Sequence, residues 1–176
     1  MGDTRKKVRV NFALEIERVW LLRGMPLLPT GHENLQIVQG YLLGDRGESA
    51  GRIRRTVRAD ESEQFHHNCK KGSGLVREES ESEIDSDAFA RLWSQTAGRR
   101  VRKCRHRVPS AGLIWEIDEF SDFPLVLAEV ELPGIDHAPV IPSWLTPCIV
   151  REVTEDPRYR NYNLATMGPP PETAGG

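Results

Sequence analysis

The chain is poor in the features that would place it in several common classes. It has three cysteines, Cys69, Cys104 and Cys148, an odd number without paired spacing, so no disulfide framework is expected and a reducing cytosol is the expected home. No apolar run reaches the roughly 20 residues that a membrane-spanning helix needs. The opening stretch MGDTRKKVRV lacks the apolar core of a signal peptide, and Lys6 stands where a myristoylation pattern wants Ser or Thr. Neither charge is in excess: 24 Lys and Arg against 26 Asp and Glu leave a net charge of -2, so no bulk basic field points to nucleic acid. Repeats of the solenoid kind are missing too. What remains is a globular composition, 38% hydrophobic and 28% charged, in 176 residues, a length that fits one domain.

What is there is mostly strand. Alternation predicts strands at 11–22, 35–43, 52–58, 63–70 and 75–84, with GDRGESAG and KKGSG as turns. A helix follows, with Asp85 or Ser86 as its cap, Phe89, Leu92 and Trp93 at helical spacing as core anchors, and Gly98 as its end. Three more strands are predicted at 99–108, 113–120 and 125–132. Near the end, Asp156 can cap a helix with Pro157 in its first position. Residues 8–166 are thus read as the folded domain, and 167–176, which includes GPPPETAGG, as a disordered tail. The fold class expected is α+β: mainly one antiparallel sheet of eight strands, closed on itself, with a few flanking helices.

The chemistry lies in a repeated device. Glu15 and Glu17 are two apart in an otherwise apolar strand, and so point to the same side. The same spacing recurs in Arg52 and Arg54, in Arg77, Glu79 and Glu81, in Lys103 and Arg105, and in Glu129 and Glu131. Asp118 lies in WEIDEF, and Lys70 ends the fourth strand. One such pair is usually the solvent face of a half-buried strand. Here, however, whole strands segregate their signs: acid on the first and eighth, base on the third and sixth. A ligand that needs both signs is a polyphosphate. Its oxygens suit Arg and Lys, and its charge draws Mg²⁺ or Mn²⁺, which carboxylates hold. A divalent cation between two glutamates also removes the repulsion that the pair would otherwise carry.

EIERVWLL, QGYL, RIR, KKGSGLVREESESEI, VRKCR, WEIDEF, LVLAEVEL and VTEDPRYRNYNLA follow in an order that resembles the CYTH superfamily, the triphosphate tunnel metalloenzymes, across roughly residues 14–165. The chain is most similar to the short bacterial members, which tend to hydrolyse inorganic triphosphate. The resemblance implies an eight-stranded tunnel barrel that binds a triphosphate-containing small molecule with Mg²⁺ or Mn²⁺. It carries Glu15 and Glu17 onto the acids of an E-x-E-x-K motif, and Arg52 and Arg54 onto a phosphate-gripping pair. Lys70 falls on a strand-ending lysine, Arg77, Glu79 and Glu81 on R-x-E-x-E, and Lys103 and Arg105 on K-x-R. Asp118 falls on a tunnel aspartate, and Glu129 and Glu131 on the final E-x-E. It thereby implies Glu15, Glu17, Glu129 and Lys103 as catalytic. Arg52, Arg54, Lys70, Arg77, Lys103 and Arg105 would bind substrate. Glu15, Glu17, Glu79, Glu81, Asp118, Glu129 and Glu131 would hold metal.

The chain departs from the motif at Val19, which stands where E-x-E-x-K has its lysine; Arg18 points the other way. This keeps three further readings open: a module that binds a triphosphate without turning it over, an adenylyl cyclase, and a thiamine triphosphatase. His66, His67 and Cys69 match no standard zinc spacing and read as polar residues of a partly exposed strand.

Overall fold

The computed structural model describes residues 11–44, 49–71 and 76–171, and leaves the side chains of 11–15, 49, 70–71 and 76–79 undescribed. The side chains of Glu15, Lys70, Arg77 and Glu79 therefore fall outside the described set, as do the basic arm, the centres of two turns and residues 172–176.

Nine strands form one antiparallel sheet: β1 Asn11–Leu22, β2 Glu33–Leu43, β3 Ser49–Val57, β4 Glu63–Lys71, β5 Val76–Glu83, β6 Arg100–Ser110, β7 Leu113–Phe120, β8 Val126–Glu131 and β9 Ile149–Glu152. Their hydrogen-bonded order is β5-β4-β3-β2-β6-β7-β8-β1-β9, with a further pairing of β5 to β1. The expected eight-stranded closed barrel is corrected on two counts. Short strand β9, hidden in a proline-rich stretch, adds to β1 at Trp20 to Leu22. The ladders of β5 and β8, moreover, do not flank β1 along a shared length. Asn11 to Ile16 pair with β5 and Glu17 to Leu22 with β8, so the sheet curls around an interior without closing into that barrel.

The two faces of the sheet separate by residue type, as alternation requires. On the outer face, Ile16, Trp20, Leu22, Trp115, Ile117, Ala128 and Val130 form one core, with the Trp20 and Trp115 rings 5.1 Å apart. The loops after β1 and β8 cover it through Met25, Leu28 and Trp144. Helix α1, Ser86–Trp93, is capped by Asp85, whose Oδ1 accepts from the Ala88 N–H at 2.7 Å, and Gly98 at φ +73° turns the chain back after it. Its Phe89 packs on Leu42 and Ile53, with Leu92 and Trp93 beside them. At Gly40 a Cβ would lie 2.6 Å from the Thr96 Cβ, so only glycine lets β2 run this close to the end of that helical segment.

The final helix differs from expectation. Asp156 caps a single 3-10 turn, Pro157–Tyr159, by accepting from the Arg158 N–H at 3.1 Å, and α2 starts only at Asn161 and runs to Met167. Its Leu164 and the preceding Tyr159 insert against Leu21, Val101, Phe120 and Leu127, so the C-terminal segment plugs one end of the interior with apolar side chains. Leu164→Ala should therefore lower stability by about 2–5 kcal/mol through the cavity it leaves. Urea unfolding checks this.

Candidate active site

The inward faces of β1 to β8 and the chain from Val153 to Asn163 enclose one cavity of about 830 Å³. Its walls are segregated by charge. β3 supplies Arg52 and Arg54, while β1 and β8 supply Glu17, Glu129 and Glu131. β3 and β8 stand four places apart in the strand order, so on the curled sheet the basic wall faces the acidic one.

Register explains the acidic wall. Glu17 lies directly across from Glu131, Val19 across from Glu129, and Glu116 of β7 across from Glu129. Like charges directly opposite one another destabilise a sheet unless a cation intervenes. For Glu116 and Glu129 that cation is Arg105. Its guanidinium donates to Glu116, to both oxygens of Asp118 at 2.6 Å, and to Glu129 Oε2 at 2.6 Å. Burial opposes the charge of Arg105, yet Asp118, Glu116 and Glu129 hold its pKa well above the ordinary arginine range.

Behind Arg105, Lys103 and Asp118 are 1% and 0% exposed and form an ion pair that does not reach the cavity surface. Lys103 Nζ also donates to Asn161 Oδ1 at 3.2 Å, which ties the wall to the start of α2. Burial disfavours the Asp118 carboxylate, but Arg105 and Lys103 together hold its pKa well below the usual range. In this arrangement both oxygens of Asp118 are occupied by donors from the chain itself.

The basic wall is different in kind. Arg54 has no carboxylate partner among the described residues, and its Nε is buried without an acceptor. Burial, with Arg52 and Arg105 nearby, pulls its pKa down to about 10, still charged at neutral pH. Tyr41 stands beside this wall, its phenol pKa raised by burial against the pull of both arginines. Glu81 lines the cavity from β5 and accepts from the Asn68 amide, with His66 Nε2 3.8 Å away.

Glu17, Glu81, Glu129, Glu131, Arg52, Arg54 and Arg105 are thus brought to one cavity, whereas Lys103 and Asp118 sit behind its wall. Val19 lines the cavity, and Arg18 turns away to pair with Glu152 at 2.9 and 2.5 Å and to cover the Trp20 ring. His67 and Cys69 approach within 3.9 Å, and alternation puts His66 on the opposite face from both. Among the described residues, no three His, Cys, Asp or Glu side chains converge on a single ion position. Two carboxylates facing each other across strands, as Glu17 and Glu131 do, still suit Mg²⁺, which typically keeps several waters and takes one or two carboxylates together with substrate phosphates.

Several lining residues lay outside the sequence reading. Glu116 and Arg107 are each two residues from a named position, so alternation could have found them; Arg107 donates to Glu116 Oε1 at 3.2 Å and Glu33 Oε2 at 2.9 Å. Thr154, Asp156 and Arg160 come from irregular chain with no period to read.

Asp118→Asn should lower stability by roughly 3–5 kcal/mol, because it leaves Lys103 buried without its counter-ion and takes one of three carboxylates from Arg105. A depressed carboxylate pKa stabilises above its unfolded value near 3.9 and loses that contribution as pH falls through the folded value. The gap between variant and wild type in denaturant titrations should therefore be full at neutral pH and narrow below about pH 4.

No protein-family model matches the chain. It is 35% identical over 162 residues to the inorganic triphosphatase of Nitrosomonas europaea, covering 88% of this chain and 99% of that protein. It is 33% identical over 129 residues to the inorganic triphosphatase of Acetivibrio thermocellus, covering 72% and 77%. The crystal structure of the inorganic triphosphatase NE1496 superposes with a TM-score of 0.58 at 31% identity, covering 89% of this chain and 97% of that one. The PH1819 protein of Pyrococcus horikoshii shares the fold, with a TM-score of 0.52 at 17% identity and coverage of 69% and 80%. An identity of 35% across nearly the full length of a triphosphatase, on a cavity with one basic and one acidic wall, means that the chain belongs to the CYTH triphosphatase family.

Proposed function

We propose that the chain hydrolyses a linear triphosphate in this cavity, with inorganic tripolyphosphate as the substrate and phosphate and pyrophosphate as the products. The observation that carries the reading is Arg54: a half-buried guanidinium lining the cavity beside two other arginines, with no carboxylate paired to it among the described residues and a buried Nε lacking an acceptor. A fold retains such a charge at a cost to its stability, and a polyanion relieves it. The naming of both curated relatives as inorganic triphosphatases supports the choice of substrate.

In this reading Arg52 and Arg54 grip non-bridging phosphate oxygens and stabilise the charge that builds on them during in-line attack by water. Glu17 and Glu131, with Glu129, would hold a divalent cation. Bound there, Mg²⁺ or Mn²⁺ supplies charge neutralisation and orientation of the phosphate chain. Glu15 and Glu79 are proposed to belong to the same acidic set, and Lys70 and Arg77 to the same basic one. Arg105 is positioned by Asp118, which Lys103 holds from behind. Arg105, held by Glu116, Asp118 and Glu129 at the edge of the acidic wall, would add positive charge beside the phosphate chain.

A second reading, binding without turnover, is favoured by Val19, which presents no charge to the cavity. The two readings separate on release of phosphate and pyrophosphate from tripolyphosphate with Mg²⁺ or Mn²⁺, run beside ATP and thiamine triphosphate. Brisk release by wild type establishes the hydrolase. A silent wild type that Val19→Lys activates establishes the binding module.

Glu129→Gln should reduce metal-stimulated release by at least about 100-fold, and unchanged turnover would remove the acidic wall from the mechanism. Arg54→Met should lower kcat/KM by a similar factor while leaving the melting temperature equal or higher, because a half-buried charge crowded by Arg52 and Arg105 is replaced by an apolar chain of like length. Calorimetry and kinetics on one preparation check both halves.

A further inference from the structure

Val19 leaves the cavity without a charge at the place where the E-x-E-x-K pattern has one. Its backbone is fastened on both sides to the chain after β9: Val153 N–H donates to Val19 O at 2.8 Å, and Val19 N–H donates to Thr154 Oγ1 at 3.0 Å. From there the chain stays on the cavity wall through Thr154, Asp156, Tyr159 and Arg160.

Arg160 is set in place by its own backbone. Its N–H donates to Pro157 O at 3.1 Å, its carbonyl accepts from Leu164 N–H at 2.9 Å, and Asn161 beside it is held by Lys103. The other arginines of the lining are differently placed. Arg105 is enclosed by Glu116, Asp118 and Glu129, Arg107 is shared by Glu33 and Glu116, and Arg52 and Arg54 make the basic wall on β3. Among the described residues the Arg160 guanidinium pairs with no carboxylate, although Asp156 is close in sequence, because Asp156 is taken by Arg158 at 2.7 Å and Arg151 at 3.4 Å.

We infer that Arg160 is a phosphate-binding residue, supplying from the C-terminal segment the positive charge that Val19 does not supply from β1. The assignment rests on the triphosphatase reading and extends its binding set to the start of α2. A lysine at position 19 and an arginine at position 160 then serve the same phosphate, and a chain with one has reduced need of the other.

The test is a double-mutant cycle on tripolyphosphate with Mg²⁺. Loss of one charge-assisted contact to phosphate should lower kcat/KM by a factor of about ten or more, chiefly through KM, in both Arg160→Ala and Arg160→Gln. Val19→Lys should restore most of that loss in the Arg160→Ala background, a larger gain than it gives the otherwise wild-type chain. Arg102→Ala, which removes an exposed charge paired with Asp122, should leave kcat/KM unchanged and controls for net charge. Melting temperatures close to wild type show that the variants are folded, and the glutamine variant serves if the alanine one is not. If wild type turns over tripolyphosphate and both Arg160 variants match it, or if Val19→Lys acts equally in both backgrounds, the inference is overturned and the triphosphatase reading stands. If wild type neither binds nor hydrolyses tripolyphosphate, that reading is overturned and this inference goes with it.

Discussion

Arg105 is the counter-ion on which the interior depends. Six strands, β1, β3, β5, β6, β7 and β8, direct charge into one enclosed space, and a carboxylate from β7 and one from β8 sit directly opposite each other. A single guanidinium, with its planar fork of five N–H donors, satisfies Glu116, Asp118 and Glu129 at once, which an ammonium could not do with the same geometry. Lys103 then completes the shell around Asp118 from the dry side. The wall is thus built in depth, with a compensated ion cluster at the back and the charged cavity lining in front.

That depth resolves an apparent contradiction. Buried ion pairs contribute little net stability, because desolvation offsets most of their attraction. An interior lined with charge would be a poor core, and this one is not a core. The apolar work is done on the outer face by Trp20, Trp115, Ile117 and Val130, and at one end by Leu164 and Tyr159. With hydrophobic burial placed outside, the inside is free to carry Arg54 and the other charges of the cavity lining.

Much of this arrangement can be read from alternation. Glu17, Arg52, Arg54, Arg105, Glu129 and Glu131 lie on regular strands, where a period of two is a geometric statement, and all of them line the cavity. Alternation states a side and not a depth. It placed Lys103 and Asp118 on the inward face correctly, yet could not show that each would be consumed by the other behind Arg105. The strands themselves were legible up to β8, but not their order in the sheet or the way it ends. The ninth strand is four residues long beside a run of prolines, below the length at which a pattern can be told from chance, and it sets the architecture apart from a simple eight-stranded closure. The C-terminal contribution was equally hidden: a 3-10 turn and a seven-residue helix have no period that marks Arg160 or Asn161 as inward.

The sharing of β1 among three partners bears on how the molecule behaves at high concentration. An open sheet offers a second copy two raw edges, and such edges template aggregation. Here the far side of β5 is taken by the first half of β1, and β9 is a mere four residues that carry Arg151 and Glu152, the latter locked to Arg18. Among the described residues, the two ends of the strand order are thereby a paired strand and a short charged one, which gives a mostly β protein of net charge -2 a colloidal safeguard that its composition does not supply.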